Sequence, residues 1–91
     1  MELEYDPAKD AANFVKHGIS LADAMLVYSA PNKLTLESVR NGENRLMDVA
    51  MVEVAGVILV LVYVVRGNTL RAISLRRASQ IERRLYEEAQ H

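Results

Sequence analysis

Val57-Ile58-Leu59-Val60-Leu61-Val62-Tyr63-Val64-Val65 is the stretch whose reading decides the fold. It is continuous, apolar and rich in β-branched residues, which suits a strand covered on both faces. Arg66 is followed at once by Gly67-Asn68, a two-residue hairpin signal. Thr69 to Arg76 then reads as a second strand, one that brings in charge. Upstream, Arg45 to Val54 reads as a third, with Ala55-Gly56 as the connecting turn. The span from Glu43 to Arg76 is therefore expected to form three consecutive antiparallel strands on which the rest of the chain packs.

Register arithmetic carries this expectation toward function. With an even number of residues in each turn, Arg45, Met47, Val62, Val64, Arg66, Arg71 and Ile73 share one face, and Asp48, Leu61, Tyr63, Ser74 and Arg76 share the other. With two-residue turns Arg45 faces Arg66 directly, and Arg71 lies one step away. Like charges opposed across strands cost stability, so three clustered arginines call for an anion or for partners such as Glu37 and Glu43.

Working outward, the chain of 91 residues suits one domain, 1–91, with a single modest core. Hydrophobic residues at 51% and charged residues at 25% are ordinary for a globular protein. With no cysteine, disulfides and thiolate metal sites are excluded, which fits a reducing cytoplasm. The acidic start Met1-Glu2-Leu3-Glu4-Tyr5-Asp6 does not read as a signal peptide. Glu53 and Gly56 interrupt the apolar run from Val49 to Val65, which falls short of the ~20 residues of a membrane span. Net charge is only −1, but six arginines and a single acid, Glu82, lie between Arg66 and Arg84. The first 23 residues hold five acids against Lys9 and Lys16. One end of the sequence is thus suited to phosphate or carboxylate.

Leu3 to Tyr5 is a candidate short edge strand. Asp6-Pro7 opens a helix, with Asp6 as N-cap and Pro7 at the first helical position. Ala8, Ala11, Ala12 and Val15, widened by Phe14, give it an apolar face, and Gly18 ends it after Lys16 and His17. Ser20 with Asp23 resembles a capping box for a second helix whose buried stripe is Leu21, Ala24, Met25 and Tyr28, stopped at Ser29-Ala30-Pro31-Asn32. Lys33 to Glu37 alternates as an outer strand, and Ser38 to Gly42 reads as a loop exposing Arg40. Ser79 with Glu82 caps a last helix striped by Ala78, Ile81, Leu85 and Ala89, with Arg83–Glu87 and Arg84–Glu88 as surface pairs. The expected fold class is α+β, with an antiparallel sheet of about four strands, two N-terminal helices and one C-terminal helix.

Asp6-Pro7-x-Lys9, Asn13-x-x-Lys16-His17-Gly18 and the Ser20-opened helix resemble the start of the BrnT family, small toxins of bacterial type II toxin-antitoxin systems. Glu43-x-Arg45, Val62-Tyr63-x-x-Arg66-Gly67, Ile73-Ser74-x-Arg76-Arg77-Ala78 and Glu82-Arg83-Arg84-x-Tyr86 follow in that family's order. The resemblance covers nearly the whole chain. It implies a RelE-like fold, metal-independent endoribonuclease activity, and a BrnA-like ribbon-helix-helix antitoxin whose complex with the toxin binds operator DNA. A homodimer is a further possible assembly.

Metal-independent RNA cleavage needs the ribose 2′-OH deprotonated, charge on the phosphorane stabilised, and the 5′-oxygen protonated. Arginine suits the second task because its planar fork binds two phosphate oxygens and stays charged. Among Arg45, Arg66, Arg71, Arg76 and Arg77, register and family position favour Arg66 and Arg76 as catalytic. Arg45, Arg71, Arg77 and Lys16 fall to RNA binding. For proton transfer the candidates are Tyr86, set near Arg83 on the last helix, and Glu43, a base if Arg45 holds it or otherwise only that residue's partner. His17 belongs to the residue type that exchanges a proton near neutral pH, although a histidine before a capping glycine is more often a helix-end residue. Tyr63, inside the apolar run, reads as core. No cofactor or metal is expected, since the histidines are only His17 and His91 and no acidic pair stands at ligand spacing. The rival readings are a catalytically inert module whose arginines hold an acidic partner or nucleic acid, and a homodimerisation domain.

Overall fold

A computed structural model of the chain describes residues 1–52 and 56–90. In order, its elements are β1 (Glu2–Glu4), α1 (Pro7–His17), a 3-10 turn (Leu21–Asp23), α2 (Ala24–Tyr28), β2 (Leu34–Arg40), β3 (Glu43–Val52), β4 (Val57–Arg66), β5 (Thr69–Arg77) and α3 (Gln80–Ala89). The strands form one sheet of order β1-β5-β4-β3-β2. The apolar run is β4, central in that order, with Val60 and Leu61 on opposite faces and both fully buried. Burial on both sides is what a continuous β-branched strand requires.

The sheet has five strands and is mixed, not four-stranded and antiparallel. β1 adds in parallel to β5, with Glu4 beside Arg71, and Glu2 N–H donates to Asn68 C=O at 2.8 Å. The short edge strand expected at Leu3 to Tyr5 thus forms one residue earlier, at Glu2–Glu4, and its parallel pairing is the part not expected. β2 also runs to Arg40, beyond the expected end at Glu37. Asn41 (φ 52°) and Gly42 (φ 76°) both take the left-handed conformation that a type I′ hairpin demands, so Arg40 pairs with Glu43 and the expected loop is a turn.

Two register features move the arginines. Val52 pairs with Val57, so four residues, not two, separate the paired ends of β3 and β4; Ala55, half of the expected turn, lies outside the described residues. Leu46 therefore opposes Tyr63, and the same register carried on sets Glu43, not Arg45, in line with Arg66. Between β4 and β5 the pairing slips: Tyr63 opposes Ala72 while Val62 opposes Ser74, leaving Ile73 as a bulge. One extra residue reverses every later side chain. Ser74 and Arg76 thus join the Met47 and Val62 face, opposite to the expected assignment.

The face bearing Asp48, Leu61, Tyr63 and Leu75 is covered by α2, whose Tyr28 meets Tyr63 edge-on at 5.6 Å. Asp48 is fully buried there and accepts from Lys33 Nζ at 2.8 Å and Thr35 Oγ1 at 2.6 Å, so its charge is paired. The second helix is split into the 3-10 turn and α2, because Asp10 Oδ1 accepts from Ser20 Oγ (3.0 Å) and Leu21 N–H (2.7 Å), taking the capping role expected of Asp23. Its buried residues are Leu21, Ala24 and Val27, with Met25 only partly covered.

α1 starts as expected, Asp6 Oδ1 accepting from Ala8 N–H at 2.8 Å, but its Phe14 and Val15 face outward. Its inward residue is Asn13. That amide acts as a strand edge: Nδ2 donates to Leu75 C=O at 2.8 Å and to Ile19 C=O at 2.8 Å, and Oδ1 accepts from Leu75 N–H at 3.2 Å. α1 is thereby held against β5. On α3 the expected stripe is likewise turned outward, with Ile81 and Leu85 exposed and Tyr86 buried. The Ser79–Glu82 capping box forms as expected. Among the described residues no Arg83–Glu87 or Arg84–Glu88 ion pair forms. No helix is long and apolar enough to cross a membrane.

Candidate nucleic-acid interface

The end of α1 and strands β2 to β5 enclose a cleft of about 400 Å³. Its walls carry Lys16 and His17 from α1, Arg40 from β2, Arg45 from β3 and Arg76 from β5, over a floor of Met47, Val62 and Ile73 with Ser38 and Ser74 beside them. Among the described residues no carboxylate lines it. The hollow gathers four basic side chains and a histidine, an arrangement chemically suited to an anion, and two of the four, Arg45 and Arg76, are braced by the carboxylates of Glu43 and Glu82.

Each wall residue is placed by a local feature. The Asn41-Gly42 turn extends β2 far enough to deliver Arg40. Asn13 anchors α1 to β5, and Gly18 (φ 72°) ends the helix directly after Lys16 and His17. Arg45 Nε donates to Glu43 Oε1 at 3.2 Å, while Glu43 Oε2 accepts from Arg66 Nη2 at 3.2 Å. The bulge at Ile73 turns Arg76 toward the cleft, and behind the lining its Nη1 and Nη2 donate to Glu82 Oε1 (2.7 Å) and Oε2 (2.8 Å). These bonds hold the Glu82 carboxyl at a pKa of about 2, well below the usual range, and raise that of Arg76.

Of the residues expected from sequence, the cleft brings together Lys16, Arg45 and Arg76. Arg66 does not line it; 70% of its side chain is exposed and it pairs with Glu43 outside. Glu43 spans Arg45 and Arg66 and is not among the residues that line the cleft. Arg71 pairs with Glu4 of the parallel strand. Arg77 lines a separate hollow with Met51, Ile58 and Arg83. Tyr86, expected to be free on its helix, is 9% exposed and belongs to the core, because α3 turns Tyr86 inward in place of Ile81 and Leu85. Tyr63 is core as expected; burial, reinforced by Asp48, raises its pKa and keeps its proton in place. Sequence reading missed Arg40, whose signal was the Asn-Gly dipeptide after it, and gave His17 less weight than its place in the cleft warrants.

The described residues thus form a small α+β domain with one cationic cleft between the end of α1 and the sheet. Comparison with protein families specifies it further: residues 5–82 match the family described as "Ribonuclease toxin, BrnT, of type II toxin-antitoxin system". The chain belongs to the BrnT family and is thereby a type II ribonuclease toxin, with RNA as substrate and an antitoxin as partner. Comparison with curated proteins gives no match.

Proposed function

We propose that the cleft is the active site of a metal-independent endoribonuclease, and that RNA is cut across Arg45 and Arg76. The observation that carries this reading is the convergence of Lys16, His17, Arg40, Arg45 and Arg76 on one hollow that no carboxylate lines among the described residues. Arg45 and Arg76 bind the scissile phosphate and stabilise the charge that builds on its oxygens, a role that needs no metal because guanidinium is always charged. Lys16 and Arg40 hold neighbouring phosphates. His17, the proton-exchanging side chain of the cleft, takes or gives the proton moved during attack by the ribose 2′-OH and departure of the 5′-oxygen. Glu43 positions Arg45. The single domain, 1–91, acts in the cytoplasm, where its RNA is, and a BrnA-like ribbon-helix-helix antitoxin restrains it; operator DNA is bound only through that complex.

The test is cleavage of a defined RNA by purified protein in excess chelator. The expected products carry 2′,3′-cyclic phosphate and 5′-hydroxyl ends. Arg45→Ala and Arg76→Ala should each cost about 10²- to 10³-fold in kcat, as loss of one transition-state donor does. His17→Ala should fall by about 10²-fold or more. Binding of RNA without any cut by the wild type would sink this reading and leave a binding module.

A further inference from the structure

We infer that Glu82 is the positioning residue of Arg76, holding its guanidinium so that the remaining fork, Nε–H with the second Nη2–H, meets the phosphate. This inference rests on the nuclease reading above. An arginine has five N–H donors in a rigid plane. In Arg76, Nη1 donates to Glu82 Oε1 at 2.7 Å and to Arg77 C=O at 3.3 Å, and Nη2 donates once, to Glu82 Oε2 at 2.8 Å. Three of the five are spent on the end of the fork. Among the described residues the other two, Nε–H and the second Nη2–H, have no partner; they lie together along one edge, which is the side-on geometry that binds two oxygens of a phosphate.

The orienting group is itself fixed. Glu82 Oε1 also accepts from Ser79 N–H at 2.8 Å, and Ser79 Oγ accepts from Glu82 N–H at 3.2 Å. The carboxylate is thus tied to the first turn of α3, with 14% of its side chain exposed, while 29% of the Arg76 side chain remains open. Arg45 shows the complementary arrangement. Its Nε is taken by Glu43, which leaves its Nη1/Nη2 end unpaired among the described residues. The two arginines of the cleft therefore offer opposite edges, one side-on and one end-on, each aimed by a carboxylate outside the lining. A competing role for Glu82, as an internal anion that blocks Arg76, predicts the opposite sign: removing its charge would then speed cleavage.

The experiment compares wild type, Glu82→Gln, Glu82→Asp and Ser79→Ala for kcat and KM on a short RNA, with thermal melting to set folded fractions. The Gln variant puts an amide N–H against guanidinium donors, so the fork turns. Its kcat should fall about 10- to 100-fold with KM changed little, the cost of a small misplacement. Asp, which restores the charge, should recover part of that loss. Ser79→Ala removes one of the two ties on Glu82 and keeps the Ser79 N–H that Glu82 Oε1 accepts from, so it should melt lower and lose less kcat per folded molecule than Glu82→Gln. A second readout is independent of cleavage: the Arg76 Nε–H resonance should shift when an uncleavable 2′-deoxy oligonucleotide binds the wild type, and not when it binds Glu82→Gln. Wild-type or faster kcat in Glu82→Gln overturns the inference, as does an equal resonance shift in both proteins. If the wild type cuts no RNA, the nuclease reading falls, and the resonance alone then upholds or overturns the positioning role.

Discussion

At the scale of single residues, the cleft separates arginines that look equivalent in sequence. Arg66 and Arg40 are both exposed strand-end residues, yet only Arg40 lines the cleft. Arg66→Ala should therefore leave kcat within about twofold, since an exposed pair with Glu43 is worth well under about 1 kcal/mol. Arg40→Ala should raise KM several-fold with kcat little changed, because a flanking phosphate is held equally in ground and transition states. Steady-state kinetics on one RNA decides both. What was legible at this scale followed residue chemistry: Tyr63 for the core, and Lys16 beside His17 at the helix end. What was not legible depended on partners far away in the chain. Nothing near Arg71 announces Glu4, and nothing near Tyr86 announces that it, rather than Ile81, faces the sheet.

Among the elements, the β4–β5 hairpin and these helix caps could be read because their signals are local: Gly67-Asn68, Asp6-Pro7, Gly18, and Ser79 with Glu82. The bulge could not, since Ile73 looks like any alternating strand residue and the slip is set by pairing with β4. It alone decides on which face Arg76 emerges. The docking of α1 was equally hidden, because its buried residue is Asn13 rather than an apolar one. Asn13→Ala would leave the N–H and C=O of Leu75 without their partner at a buried edge, for a loss of roughly 2 to 4 kcal/mol, to be read from denaturant midpoints. α3 carries a pH-dependent tie as well. Glu82 titrates at about 2 in the folded protein, below the usual carboxylate range near ~4.3 when unfolded, so its stabilisation is complete above about pH 5 and is lost as pH falls toward 2. That loss should be on the order of 2 kcal/mol in the wild type and nearly absent in Glu82→Gln, measured as stability from pH 6 to 3.

For the whole molecule, a net charge of −1 conceals a strong polarity, and this polarity makes salt a diagnostic. Glu2, Glu4, Asp6 and Asp10 sit on β1, α1 and their junction, whereas among the described residues the cleft is lined by basic and neutral side chains. A chain of this net charge has no general attraction for RNA, so association must come from the cleft. If Lys16, Arg40, Arg45 and Arg76 are its phosphate contacts, single-stranded RNA should bind with log K falling against log salt at a slope of about −2 to −3. Arg40→Ala should reduce the slope by somewhat under one, while Arg66→Ala and Arg77→Ala, outside the cleft, should leave it unchanged. A slope that responds equally to all three would mean that RNA tracks the arginine-rich end of the chain at large, and the cleft would then lose its claim as the binding surface. A slope near zero would mean that phosphates are not what these cations hold, leaving the carboxylates of a protein partner as their natural counter-charge.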